Sequence, residues 1–228
     1  MSGIALCPAR LWSHAVCAFA DLVAGEEVAA QEVSLRLLLN SHAPMMEVLR
    51  LLCLHTLTTG GFQSRTYDDI RRDFLQAYGF EHAKLLVTLE HARLFTKATG
   101  RKTAFDAARG ALSLVVVGVN EREPDDVAYV FSGYAPLAVR LVQRALEDKG
   151  DWRSIEGVLA HLGPTVERGA RDVPAEAPNG RASVVCFVGG VTYAEIAAIR
   201  FLSRALRRRI VILTDSIAQG TRLLESLT

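Results

Sequence analysis

Apolar positions recur at helical spacing over most of the first two-thirds of the chain. Leu11, Val16, Phe19, Leu22 and Val23, then Val28, Val33, Leu35, Leu37 and Leu38, predict helix across residues 11–41. Pro44 suits a first helical turn, where its missing N–H costs nothing. The run that follows, EVLRLLCLHTL, is apolar on nearly every face and predicts a helix buried on most sides. Gly60 and Gly61 stop it. Thr66 reads as the cap of another helix, with Asp68 and Asp69 in a first turn whose dipole favours acids. Ile70, Phe74 and Leu75 supply its buried stripe. Tyr78-Gly79-Phe80 reads as a turn flanked by aromatics, and helical spacing resumes from Glu81 to Phe95.

Residues 99–102 form a polar link, and Phe105 to Val119 suits a strand as well as a buried helix. Residues 121–126 read as an acidic loop around Pro124. Pro136 opens a further helix, and Asp151 starts another over Trp152 to Leu162. Residues 163–181, with Pro164, Pro174 and Pro178 and little to bury, read as a mobile surface linker. The period then changes. SVVCFVGG is a short continuous apolar strand, TYAEIAAIRFLSRALRRR an amphipathic helix, IVILTD a second buried strand, and Gln219 to Leu227 a short last helix. The expected fold is therefore mixed, α+β with an α/β element. Helices fill residues 1–162, a flexible linker spans 163–181, and a βαβ unit occupies 182–228, implying a parallel strand pair with a right-handed crossover.

At 228 residues, 50% hydrophobic and 22% charged, the chain has material for one large or two small cores and reads as globular. A net charge of +1 argues against a dedicated nucleic-acid binder and against a polybasic membrane anchor. The longest apolar run, near Ala111 to Val119, falls far short of the roughly 20 residues that span a bilayer. No basic segment precedes the first apolar residues, so the N-terminus reads as a helix of the globular body rather than a secretory signal. Cys7, Cys17, Cys53 and Cys186 form no C-x-x-C pair and no zinc-finger spacing, and read as reduced cysteines of a cytosolic protein.

Catalytic and cofactor patterns are absent from the sequence. It contains no G-x-x-x-x-G-K-[ST], no G-x-G-x-x-G, no G-x-S-x-G and no H-E-x-x-H, so no cofactor is expected. Gly189 and Gly190 stand at a strand-to-helix junction, where backbone amides can cradle phosphate. The structural reading is a tight turn followed by a Thr192/Glu195 capping box. Glu81-His82-Ala83 recurs as Glu90-His91-Ala92, but that offset puts the two histidines on opposite sides of a helix. His55 shares a helical face with Val48, Leu51 and Leu52 and reads as a hydrogen-bonded core histidine. Asp125 and Asp126 read as solvated or turn-shaping. Arg204, Arg207, Arg208 and Arg209 read as cations complementing a helix C-terminus, with contact to phospholipid or an acidic partner as the alternative. Tyr78, Phe80, Tyr129, Phe131 and Tyr134 sit in loops or at helix edges, where any left exposed would mark a protein-binding face.

Several long strings resemble one family. CFVGGVTYAEIAAIRFLSRAL (186–206) is similar to the C-terminal signature of the vacuolar-protein-sorting thirty-three branch of the Sec1-like SM family. The stretches 48–95, 126–146, 152–164 and 210–227 resemble the same branch in the same order, so the likeness covers roughly residues 45–228. The resemblance implies a non-enzymatic regulator of vesicle-mediated transport that binds SNARE helices as a subunit of class C tethering complexes, HOPS or CORVET. It implies a cytoplasmic protein, peripheral on late endosome, vacuole and lysosome membranes. It also implies that residues 1–162 correspond to the helical third domain, and that the βαβ unit completes the parallel sheet of the middle domain. The partner implied is the class C sixteen-type subunit, docking where Arg71, Gln76, Tyr78, Phe80 and His82 lie. Full members are two to three times as long, so the expectation is a portion of such a protein with poor stability alone. The alternatives are a small nucleotide- or phosphate-binding α/β protein and a non-functional truncated fragment.

Overall fold

The computed structural model describes residues 28–100, 103–120, 122–147, 155–162 and 182–227. These gather into two compact units, which separate between Phe105 and Asp106 and again between Gln219 and Gly220. The expected helix over residues 11–27, the linker at 163–181, and Cys7, Cys17, Asp151 and Trp152 lie outside the described residues.

The first unit is helical. Its elements are α1 (Val28–Asn40), α2 (Met45–Thr59), α3 (Ser64–Tyr78), a 3-10 turn at Phe80–His82 and α4 (Ala83–His91). The second part of the chain supplies α5 (Ala104–Ala111), a 3-10 turn at Val127–Phe131, α6 (Leu137–Glu147), α7 (Glu156–Leu162), β1 (Ser183–Phe187), α8 (Tyr193–Ala205) and β2 (Ile210–Thr214). The last helix, α9 (Gly220–Glu225), belongs to the first unit.

Burial of the α2 apolar run drives the first unit. Val48, Leu49 and Leu52 of α2 are fully inaccessible, and they share a core with Leu35 and Leu39 of α1, Ile70 and Phe74 of α3, and Leu86 and Leu89 of α4. Leu224 of α9 joins the same core. An aromatic group closes one end: Phe62 meets Phe95 edge-on at 5.6 Å and Tyr67 stacks on Phe95 at 4.5 Å. Such pairs add about 1 kcal/mol each beyond area burial.

α3 starts earlier than the sequence pattern suggests. Its cap position is Gln63, and Thr66 lies inside the first turn, where its hydroxyl donates to Glu32 Oε2 at 3.3 Å. The cause is tertiary. Phe62 is pinned in the core, and its backbone bonds Thr96 O at 3.0 Å and Ala98 N at 2.7 Å, so the helix begins directly after it. Asp68 and Asp69 then point outward to Lys97 at 2.8 Å and to Arg72 at 3.1 Å and Arg36 at 3.4 Å. These are partly to fully exposed pairs, worth a few tenths of a kcal/mol each.

The ambiguous stretch from Phe105 to Val119 is helical at its start and then irregular, with a single isolated β-bridge. α5 ends at Ala111, Ser113 turns the chain at φ 48°, and Val115 bridges antiparallel to Tyr134. In the second unit β1 and β2 pair in parallel, from Ser183 opposite Ile210 to Phe187 opposite Thr214, with α8 between them in sequence. Phe187, Ile210 and Ile212 turn one sheet face onto Ala198, Ile199 and Leu202 of α8 and onto Val127 and Val139. The other face stays open: Val184 is 61% exposed and Leu213 is 51% exposed, with Cys186 exposed between them. The strands were expected to be buried, as a continuous apolar run implies. α8 covers only one face, so burial alternates along β1 instead.

Candidate functional site

The residues expected at a docking face come from the end of α3 and the turn after it. Arg71 and Tyr78 are seven residues apart on α3 and share a helical side, whereas Gln76 sits roughly 140° round the helix from Arg71. Arg71 and Tyr78 are half-buried and Gln76 is exposed. Gly79, at φ 109° and ψ 151°, ends the helix in a conformation that side chains rarely adopt. This break throws Phe80 outward, 73% exposed, at the start of the 3-10 turn that ends at the half-buried His82.

Tyr78 and Phe80 flank the glycine but have opposite fates. Tyr78 packs at 4.8 Å from Phe74, and its hydroxyl donates to Ala43 O at 2.6 Å. Burial first, then the Glu47 carboxylate, push its phenol up to about 12. Tyr78 is thus an anchor that ties the α1–α2 connection to α3. Phe80 presents an apolar ring to solvent beside Glu81 and Lys84, both exposed. An aromatic held rigidly outward with charged neighbours has the composition of a protein-binding hot spot and offers no acid–base chemistry.

The Gly189-Gly190 turn resolves in favour of structure. Gly189 and Gly190 take φ 96° and 110°. A Cβ on Gly190 would stand 2.8 Å from Ser216 Oγ, so the loop after β2 packs directly on its backbone. Asp215 Oδ2 accepts from Gly189 N at 3.0 Å. That bond above all holds the Asp215 carboxyl below the usual carboxylate range. The protein's own carboxylate thus occupies an amide that a phosphate would need. Thr192 and Glu195 form the full capping box: Glu195 N donates to Thr192 Oγ1 at 3.2 Å and Thr192 N to Glu195 Oε2 at 2.8 Å.

Two residues behave otherwise than the sequence reading expects. His55 is fully buried, yet neither ring nitrogen has a hydrogen-bond partner among the described residues. Its ring stacks on Phe62 at 4.1 Å instead, and desolvation pushes its pKa down to about 4. The neutral ring is accommodated as an aromatic. Asp126 is neither solvated nor merely turn-shaping. It accepts from Ala128 N at 2.7 Å as a helix cap and receives both ends of the Arg140 guanidinium at 2.8 and 2.9 Å. Arg140, only 9% exposed, also donates to Ser113 O and Gln143 Oε1. Nothing in the sequence marks this pair, since fourteen residues and an irregular segment separate its members.

Among the described residues no group of three or more His, Cys, Asp or Glu is placed to hold a metal, and no helix is long and apolar enough to cross a membrane. The described residues thus form a helical unit with a projecting aromatic and a unit that holds a parallel strand pair.

The chain belongs to the Sec1 family, whose profile matches residues 20–226. It is 41% identical over 193 residues to vacuolar protein sorting-associated protein 33A of Rattus norvegicus, covering 81% of this chain and 32% of that protein. It is 35% identical over 206 residues to the vacuolar protein-sorting-associated protein 33 homolog of Arabidopsis thaliana, covering 83% and 34%. Similarity extends to the vacuolar protein sorting-associated protein 33 of Schizosaccharomyces pombe, at 31% over 176 residues. The chain spans about a third of the length of these curated relatives.

Proposed function

We infer that this chain acts in vesicle-mediated transport as part of an SM-type membrane-fusion regulator, through protein–protein binding and without catalysis. Its role is that of a subunit of class C tethering complexes, peripheral on late endosome, vacuole and lysosome membranes. The helical residues up to 162 serve as the third-domain-like part, and the strand–helix–strand segment of residues 182–228 contributes to the parallel sheet of the middle domain. The sixteen-type subunit docks around the projecting Phe80, at the end of α3 where Arg71, Gln76, Tyr78 and His82 also lie, and SNARE helices are engaged by the wider SM arch.

The single observation that carries the docking reading is the projection of Phe80, 73% exposed, from a glycine-broken helix end whose other aromatic, Tyr78, is locked down. Hot-spot aromatics act best when their mounts are rigid. The test is co-purification of this chain with the C-terminal helical part of the sixteen-type subunit. Wild type is expected to bind, and a Phe80→Asp, Arg71→Asp double variant is expected to lose at least tenfold in affinity, or about 1.4 kcal/mol. Binding unchanged in a folded variant refutes the assigned face.

A further inference from the structure

A second surface, in the other unit, has no role in that reading. Ile199, Arg200, Ser203 and Arg204 of α8 and Ile210 and Ile212 of β2 line an open groove of about 460 Å3. No β1 residue lines it, so the groove opens beside β2 on the side away from β1. β2 pairs with β1 alone among the described residues, so its outer edge has no strand partner among them. Unpaired edges of this kind accept added strands.

The charges along this edge are one-sided. Arg200 and Arg204 are exposed, four residues apart on α8, and therefore neighbours on one helical face. Neither has an ion-pair partner among the described residues, whereas Arg36, Arg72 and Arg140 do. No acid is among the groove's described lining, and the acids at the start of α8 and just after β2 have partners of their own: Glu195 in the capping box and Asp215 at the Gly189 amide. The Ser203 hydroxyl is spent on Arg208 O at 2.6 Å. Two exposed arginines thus line the groove together with the part-buried Ile210 and Ile212, beside β2.

We propose that the outer edge of β2 takes an extended acidic peptide segment as a third strand. Its backbone hydrogen-bonds β2, its carboxylates face α8 and pair with Arg200 and Arg204, and its alternate apolar side chains lie on the open sheet face beside Leu213. Main-chain pairing supplies affinity in such strand addition, and the alternate side chains supply selectivity. Bidentate arginine–carboxylate pairing selects acids over neutral residues.

The experiment uses the full chain and two fluorescein-labelled decapeptides, one alternating Val with Glu and one alternating Val with Lys. Fluorescence anisotropy at low ionic strength reads binding, and hydrogen exchange of the Ile210–Thr214 amides reads strand addition. The Val/Glu peptide is expected to bind at least about tenfold more tightly than the Val/Lys peptide, more weakly as salt rises, and to slow the β2 amides. Arg200→Glu with Arg204→Glu is expected to reverse the preference. Equal binding of the two peptides by wild type overturns the proposal, and this comparison stands whether or not the variant folds. Acidic-peptide binding that leaves the β2 amides unprotected also overturns it. So does capture by phosphatidylserine vesicles, or self-association, in place of peptide binding.

Discussion

Protonating His55 should weaken the helical unit in a defined pH window. The imidazole is fully buried, stacks on Phe62 at 4.1 Å and is held neutral, with its pKa pushed down to about 4. In the unfolded chain an ordinary histidine titrates near 6.5. The depressed folded value means that the unfolded state binds a proton first as pH falls. His55 therefore leaves stability intact above about pH 6.5 and costs up to about 1.4 kcal/mol per pH unit below it, until the folded form also protonates near 4. Between pH 7.5 and pH 5 the loss works out to about 2 kcal/mol, a large share of a typical domain's stability. The assay is urea denaturation at both pH values for wild type and His55→Leu, a substitution that keeps the volume and removes the titration. Every other ionisable group is common to the two proteins, so the difference between the two pH profiles isolates His55. Parallel profiles, offset by a constant, would refute the reasoning. So would a His55 C2 proton whose NMR shift titrates near 6.5 in the folded protein.

Asp126→Ala removes the cap on the Val127–Phe131 turn and strands the Arg140 charge, so a loss of about 3 kcal/mol is expected in urea denaturation. A change under about 0.5 kcal/mol would mean that water replaces the carboxylate. Thr192→Ala breaks the capping box of α8 and should cost about 1 kcal/mol by the same measurement. Gly190→Ala combines a positive φ with a 2.8 Å approach to Ser216 Oγ, whereas Gly189→Ala has the positive φ but open space around its Cβ. The first should destabilise more than the second, by about 1 kcal/mol or more, and equal thermal midpoints would count against a packing role for Gly190.

Local order was legible where one element's own pattern decides it. The α2 run is apolar all round and ends at Gly60 in the left-handed region, and the T-x-x-E box opens α8 as its spacing implies. Capping and periodicity are settled within one turn of chain, so the sequence alone determines them. The Gly79 break and the aromatics beside it were equally readable, but which ring projects was not. Tyr78 turns inward because Ala43 O, thirty-five residues away, lies within reach of its hydroxyl. The start of α3 was displaced by the backbone pairing of Phe62 with residues 96 and 98, and the Arg140–Asp126 pair joined segments with no common period. His55 shows the same division. Its place on a buried face follows from spacing, but its unsatisfied nitrogens and its stack on Phe62 depend on what the folded chain brings opposite. The strand alternation likewise follows from layering, since α8 covers one face of the β1–β2 pair and leaves Val184 and Leu213 in the open. The sequence alone determined most of the helices, the Gly60 stop, the α8 capping box and the family; contacts between distant segments decided where α3 begins, which polar groups are buried and which aromatic is presented, because those depend on where the rest of the chain packs.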